Sequence, residues 1–305
     1  MKGKAANSAK LGPVIKWAGS KRELVNELYS RRPLEFKDYY EPFSGSLAFA
    51  LRLYQDMEIN SSQMFLGDIS KPLITTYEVI RDDLEALLSS LDSPEYSWCL
   101  DKNERAEAYH CIRESFNQLL RQDTLEHPER IKLATEFLYL IKTNYNGLYR
   151  VNKKGEYNAS VDLATEGEKK IFDGKALKVM SGFLNKEDVT VFHGSYEILV
   201  ETAKAGDFIY FDPPYDTPFT QYDKAGFSWT DQKKLKRTVD ILHKRGCYVM
   251  ISQGATKRIK ELYKDYHQDF VTTRNLINCN AKGRKEKNPE LIIRNYKMLG
   301  GLLKM

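Results

Sequence analysis

The chain has 305 residues, of which 42% are apolar, 12% aromatic and 29% charged, with a formal net charge of +5. This balance excludes a disordered chain and a mini-protein that needs staples, and at roughly 100 to 200 residues per domain it predicts one large domain or two. A mildly basic charge is compatible with a nucleic-acid partner without demonstrating one.

Four cysteines, Cys99, Cys111, Cys247 and Cys279, lie far apart with no C-x-x-C pair, and five histidines offer little to complete a metal site. The pattern argues against structural zinc and a disulfide framework and for a reducing compartment. No run approaches the ~18 to 20 apolar residues that span a bilayer, and residues 1–10 carry lysines with no apolar segment behind them, so neither a membrane span nor a signal peptide is expected.

In chain order, the first expected strand covers residues 38–41 and runs into Tyr40-Glu41-Pro42-Phe43-Ser44-Gly45-Ser46, a small-residue loop where backbone can approach a ligand closely. A second strand over residues 64–67 ends at Asp68. That acid follows the loop by about the ~20 residues at which a carboxylate can bond ribose hydroxyls, with a helix cap before residues 69–77 as the structural alternative.

The next expected strand begins only at residue 188, too far on for a connection inside a compact domain, so residues 71–185 are expected to form an inserted domain. Apolar stripes at helical spacing predict helices over residues 73–91, 104–122 and 128–145, with Pro128 where a helix start tolerates proline. A hairpin follows, with arms over residues 148–152 and 156–158 and a Lys153-Lys154-Gly155 turn.

Strands are then expected over residues 188–193, 207–211, 247–252, 270–274 and 291–296. A helix carrying Leu235, Val239, Ile241 and Leu242 stops at Lys244 to Gly246, and a basic loop, residues 282–287, joins the last two strands. Strands alternating with helices at both ends of the chain predict an open α/β sheet from residues 1–70 and 186–305. Ligands in such sheets bind outside the carboxyl ends of strands where the strand order reverses, which places the loops after the first and fourth strands in one crevice.

The fourth strand, Phe208-Ile209-Tyr210-Phe211, ends abruptly in Asp212-Pro213-Pro214-Tyr215. Two prolines stop a strand by removing backbone donors and fixing φ, and they leave carbonyls as acceptors beside a carboxylate and a stacking ring. The cluster suits an amine on a planar aromatic ring. Hydrogen bonds from that amine to Asp212 and to a loop carbonyl would draw its lone pair out of conjugation and make it nucleophilic toward an incoming methyl group.

These motifs, taken in order with Lys16-Trp17-Ala18-Gly19-Ser20-Lys21 at the N-terminus, resemble those of the Dam-type (D12 class) adenine-specific DNA methyltransferases over nearly the whole chain. The resemblance implies a Rossmann-like open sheet of about seven strands, the methyltransferase fold, with an inserted, mainly helical DNA-recognition domain carrying a β-hairpin. It implies S-adenosyl-L-methionine as cofactor, contacted by Trp17 and Lys21, by Glu41, Pro42, Phe43 and Gly45 of the glycine loop, by Asp68 at the ribose, and by Ser195 and Tyr196 near the adenine. Asp212 is implied on the cofactor side as well as in catalysis, with Pro213, Pro214 and Tyr215 completing the catalytic tetrapeptide.

Residues 145–152 are similar to the DNA-reading hairpin of enzymes in that family that recognise sites related to GATC. There Arg150 can pair bidentately with guanine, Asn146 and Leu148 can reach or wedge between bases, and Lys142, Lys153 and Lys154 can meet phosphates. Tyr145 and Asn152 complete the implied DNA-facing set. The chain departs from the family pattern at Leu47, where a second glycine is usual, at Ser20, at Ala159-Ser160-Val161-Asp162 in place of a proline-containing turn, and in a shorter stretch from Tyr215 to Tyr222.

The expected protein is thus a methyltransferase acting on the exocyclic N6 amino group of adenine in double-stranded DNA, at GATC or a related site, by base flipping. It is expected to work as a monomer, without metal or membrane, in the cytoplasm of a bacterial or phage-infected cell. The alternatives are an adenine methyltransferase on RNA and a non-catalytic DNA-binding protein on a degenerate fold.

Overall fold

Strands covered on both faces read as unbroken apolar runs, and Phe208–Phe211 is such a run, buried at all four positions. It lies in the middle of the sheet in a computed structural model that describes residues 11–56, 62–98, 101–165, 171–216, 227–274 and 287–298, apart from the side chains of Asn146 and of residues 272–289. The chain divides into two units. A helical unit comprises Met1–Ser20, Gly45–Leu51 and Ser70–Val191, and a sheet unit comprises Lys21–Ser44, Arg52–Ile69 and Phe192–Met305.

The strands are β1 (Tyr39–Glu41), β2 (Met64–Asp68), β3 (Val189–His193), β4 (Phe208–Phe211), β5 (Tyr248–Gly254), β6 (His267–Arg274) and β7 (Lys287–Arg294). They form one open seven-stranded sheet in the order β3-β2-β1-β4-β5-β7-β6. β1 pairs in parallel with β2 and β4, and β4 in parallel with β5, while β7 runs antiparallel to both β5 and β6. The order reverses between β1 and β4, which are hydrogen-bonded neighbours through Tyr39↔Phe208 and Tyr40↔Ile209. This is the mixed α/β, Rossmann-like sheet expected from the sequence.

β6 and β7 begin earlier than their apolar runs, because antiparallel pairing from His267↔Arg294 to Arg274↔Lys287 continues the ladder through polar residues that carry no alternation signal. The basic loop of residues 282–287 lies outside the described residues except for Lys287.

The helices are α1 (Val25–Ser30), α2 (Ala48–Asp56), α3 (Lys71–Asp82), α4 (Leu84–Leu91), α5 (Lys102–Leu120), α6 (His127–Thr143), α7 (Gly174–Leu184), α8 (Tyr196–Leu199), α9 (Trp229–Arg245) and α10 (Lys257–Leu262). In the helical unit α6 packs against α3, α4 and α5. The single helix expected over residues 73–91 is two helices, broken at Asp83 (φ −132°, ψ 35°). Aspartates compete for backbone donors and favour helix ends, and the Asp83 carboxylate lies 2.8 Å from His127 Nε2. The apolar stripe survives the break, with Leu73, Tyr77 and Ile80 buried before it and Leu87 and Leu91 after it.

In the sheet unit α9 begins with a reciprocal capping box between Ser228 and Asp231 and stops at Gly246, whose φ of +88° a glycine adopts without strain. Its buried face is Gln232, Leu235, Val239 and Leu242. Ile241, expected on that face, points to solvent at 56% exposure. No helix of the described residues is long and apolar enough to cross a membrane.

Candidate active site

In the sheet unit the parallel strands β1, β2, β4 and β5 end along one edge, where Asp212 to Tyr215, the start of the loop after β1 and Asp68 lie. β4 gives way at Asp212, because Pro213 and Pro214 offer no N–H to continue its ladder. The Asp212 carboxylate (Oδ1) sits 2.8 Å from Lys21 Nζ, on a 3-10 turn over Lys21–Glu23, and both side chains are largely buried. Burial pushes the Asp212 carboxyl up to about 6; the Lys21 ammonium opposes the rise and the Glu290 carboxylate adds to it.

The Lys21 ammonium also lies 4.8 Å from the centroid of the Tyr215 ring, in cation–π range. Tyr215 donates its hydroxyl proton to Glu290 Oε2 at 2.5 Å, and its ring packs beside Gly254 at the end of β5. Burial, together with the neighbouring Asp212 and Glu290 carboxylates, raises the phenol far above its ordinary range. Tyr215 is therefore a neutral, fixed aromatic face beside a carboxylate.

The loop after β1 lies on the same edge. Glu41 is buried and accepts the Tyr39 hydroxyl at 2.6 Å, and Pro42 is buried beside it. Phe43 stacks on Tyr196 (5.3 Å between centroids) and meets Phe211 and Phe227 edge-on. Ser44 N donates to Gly67 O at the end of β2.

Asp68 closes β2 and is nearly buried, whereas the cap position of α3 falls to Ser70, so Asp68 is a strand-end acid and not the cap of α3. Ser195 caps α8, accepting Glu197 N, and bonds the Glu197 carboxylate, which pairs with Lys234. Burial raises the Tyr196 phenol to about 12.

The helical unit carries the remaining motif residues. Trp17 stacks on Tyr149 at 5.7 Å and lies 6.3 Å from Phe137. Gly45, at φ +45°, leaves so little room that a Cβ there would stand 2.8 Å from Trp17 Cδ1. Ser20 and Ser46 hydroxyls bond at 2.7 Å. Leu47 has φ +63°, the left-handed backbone at which a glycine is free of strain, and its side chain is fully buried.

The hairpin closes through antiparallel bridges Val151↔Tyr157 and Asn144↔Val161. Asn117 holds its second arm as a neighbouring strand would, donating to Tyr157 O at 3.1 Å and accepting Tyr157 N at 2.8 Å, while Tyr109 donates to Ala159 O at 3.0 Å. Lys142, Tyr145, Arg150, Lys153 and Lys154 are exposed and Leu148 is half-buried.

Arg150 donates through Nε and Nη2 to the side chain and carbonyl of Asn158, both at 2.9 Å, which holds its guanidinium across the hairpin. Asn152 folds the turn: its amide oxygen accepts Lys154 N and Glu156 N and its nitrogen donates to Glu156. The Asn146 side chain and the stretch from residue 217 to 222 lie outside the described residues.

Glu290 and Asn158 belong to these constellations, as do Gln232, which donates to Pro214 O, and Gln253, which donates to Gln232; no sequence motif contains any of the four. For Gln253 and Gln232 the signal available was a polar residue on the same face as apolar ones, Ile251 on the strand and Leu235 and Val239 on the helix.

The chain belongs to the D12 class of N6 adenine-specific DNA methyltransferases, a family it matches over residues 17–277. The type II methyltransferase M.MjaIII of Methanocaldococcus jannaschii is 34% identical, covering 93% of this chain and 99% of its own. The type II methyltransferase M1.LlaDCHI of Lactococcus lactis subsp. cremoris is 30% identical, covering 95% and 97%. The DNA adenine methylase of Vibrio cholerae is 29% identical, covering 89% and 92%. Among solved structures, a precorrin-6y C5,15-methyltransferase from Geobacter metallireducens aligns with 94% of this chain and 100% of its own at 10% identity and a TM-score of 0.36, too distant to bear on function. The protein is an adenine-specific DNA methyltransferase, and its reacting nitrogen is the exocyclic N6 of adenine.

Proposed function

We propose that the protein transfers the methyl group of S-adenosyl-L-methionine to adenine in double-stranded DNA at GATC or a related site, with the target base turned out of the helix. The observation that carries this reading is that the Asp212 carboxylate and the Tyr215 ring stand within reach of one nitrogen, the Lys21 ammonium, which is paired with the carboxylate and lies 4.8 Å from the ring centroid. An adenine stacked on Tyr215 would offer its amino group to the same carboxylate, with Lys21 withdrawn.

Each unit, taken by itself, carries residues whose chemistry suits the proposed cofactor. In the sheet unit Phe43 presents an aromatic surface suited to a sulfonium, and Asp68 stands at a strand end where a carboxylate can meet ribose hydroxyls. In the helical unit Gly45 keeps the loop backbone bare next to Trp17. S-adenosyl-L-methionine supplies, when bound, a methyl group on a positively charged sulfur that departs as a neutral thioether.

Asp212 accepts a hydrogen bond from the adenine amine, concentrating its lone pair, and Tyr215 offsets the few kcal/mol that unstacking costs. The Asp212 carboxylate would take the proton that the adenine nitrogen sheds on receiving the methyl group, which the bound donor would supply. No step calls for a metal.

The hairpin is the proposed reading element of an inserted region, residues 71–185. Arg150 is assigned to guanine, Leu148 and Asn146 to the bases, Tyr145 and Asn152 to its DNA-facing surface, and Lys142, Lys153 and Lys154 to phosphates. We assign Glu41, Pro42, Ser195 and Tyr196 to the cofactor side, and expect a monomer acting in the cytoplasm.

The test is transfer of labelled methyl from S-adenosyl-L-methionine to a GATC duplex and to one with that site scrambled, with Asp212→Ala as control. Label in the first duplex alone supports donor, substrate and site together. Label in both retains the chemistry and removes the site, and label with Asp212→Ala removes Asp212.

A further inference from the structure

We infer that Gln232 and Gln253 are positioning residues, a buried two-amide relay that fixes the carbonyl of Pro214 and thereby aims the Asp212 to Tyr215 loop; the inference rests on the catalytic reading of that loop. Gln232 Nε2 donates to Pro214 O at 2.9 Å, and Gln253 Nε2 donates to Gln232 Oε1 at 3.1 Å. Both glutamines are fully buried.

The loop needs an outside hold. Pro213 and Pro214 contribute no N–H, so residues 212–215 have half the donors of an ordinary loop with which to fasten themselves. The two amides stand on rigid elements: Gln232 follows the capping box in the first turn of α9, and Gln253 lies on β5, whose ladder to β7 pairs it with Leu291.

Chemistry also fixes the direction of the relay. A carbonyl only accepts, so Gln232 must turn its NH2 toward Pro214, which leaves its oxygen facing Gln253 and obliges that residue to present its NH2 in turn. The far oxygen, Gln253 Oε1, is left buried with no hydrogen-bond partner among the described residues. Fully satisfied packing would not leave such a group, and it is the natural end of a chain whose polarity is dictated from the Pro214 carbonyl.

The test compares Gln232→Met, Gln253→Met, the double variant and Gln232→Glu with wild type. Single-turnover methylation of mixed-sequence DNA is read alongside DNA and cofactor affinities, thermal melting and the carboxyl titration of Asp212 by NMR. Gln232→Met is expected to lose about 100-fold in the methylation step, the scale of a small misplacement of reacting groups, with both affinities and melting retained. Gln253→Met loses less, and the double variant equals Gln232→Met, because the two amides act in series.

In Gln232→Glu the rate relative to wild type at the same pH is expected to climb as pH falls through the new carboxyl's titration, since a protonated acid can again donate to Pro214 O. In Gln232→Met the Asp212 titration is expected to drop from about 6 toward the ordinary carboxylate range as the slackened loop admits water. That titration needs neither donor nor DNA: if it moves while wild type methylates nothing, the relay stands and the reading of donor and substrate fails. An unmoved titration with a near-normal rate, or losses that add in the double variant and follow melting, overturns the relay.

Discussion

Lys21 and Asp212 stand 2.8 Å apart, ammonium to carboxylate, with side chains 10% and 16% exposed. In so dry a setting the cation is the main force keeping Asp212 from rising above its value of about 6. Lys21→Gln is therefore expected to move the acid limb of the kcat/KM against pH profile, which reports the free enzyme, to higher pH. A limb that stays near pH 6 would show that Asp212 is not the titrating group.

The same group links stability to pH. Its carboxyl titrates near 3.8 in an unperturbed setting and at about 6 in the fold, so the folded protein binds the proton more tightly than the unfolded chain. The stabilisation is full below the lower value and is lost as pH rises through the higher one, amounting to about 3 kcal/mol at about 1.4 kcal/mol per pK unit. Denaturant titrations should show wild type losing ground to Asp212→Asn across that window, while the variant transfers no methyl. Parallel curves would remove the burial of Asp212 as the source of its raised value.

Leu47 combines a left-handed backbone with a fully buried side chain. The backbone costs about 1 to 2 kcal/mol for any residue but glycine, and the side chain returns about as much by burial. Leu47→Ala keeps the strain and opens a cavity, whereas Leu47→Gly opens the cavity and releases the strain. Thermal melting is expected to place the glycine variant at or above the alanine variant although it has fewer atoms.

Arg150 is held in the plane of the hairpin by Asn158. Arg150→Ala is expected to relax discrimination at one guanine by ~1 to 3 kcal/mol, read as methylation rates on duplexes altered at single positions. Lys153→Ala should instead weaken binding to all duplexes alike and lower the slope of log affinity against log salt by about one. Equal losses on matched and altered duplexes for Arg150→Ala would assign it to phosphate.

The neighbouring positions of β1 and β4 were legible in advance because parallel strand topology leaves few places for a ligand, and because Asp212-Pro213-Pro214-Tyr215 ties a strand end to one kind of chemistry. Asp68 as a strand end was legible for a similar reason, its distance from the loop after β1. The partner of Lys21 was not, since a lysine in a basic stretch reads as a solvated face until the turn over Lys21–Glu23 directs it inward. Nor was the break at Asp83, where both halves preserve one apolar stripe, or the exposure of Ile241, whose hydrophobicity was not needed by the core. Gln232 and Gln253 escaped because the value of a buried amide depends on the group it faces, and spacing along a chain does not carry that.

The hold that Asn117 and Tyr109 keep on the second arm of the hairpin goes to main-chain atoms, the N–H and carbonyl of Tyr157 and the carbonyl of Ala159. Main-chain atoms are the same whatever the residue. Outward-pointing side chains of the arm can therefore be exchanged without breaking these main-chain bonds, so the surface the hairpin displays and the fastening beneath it can vary separately.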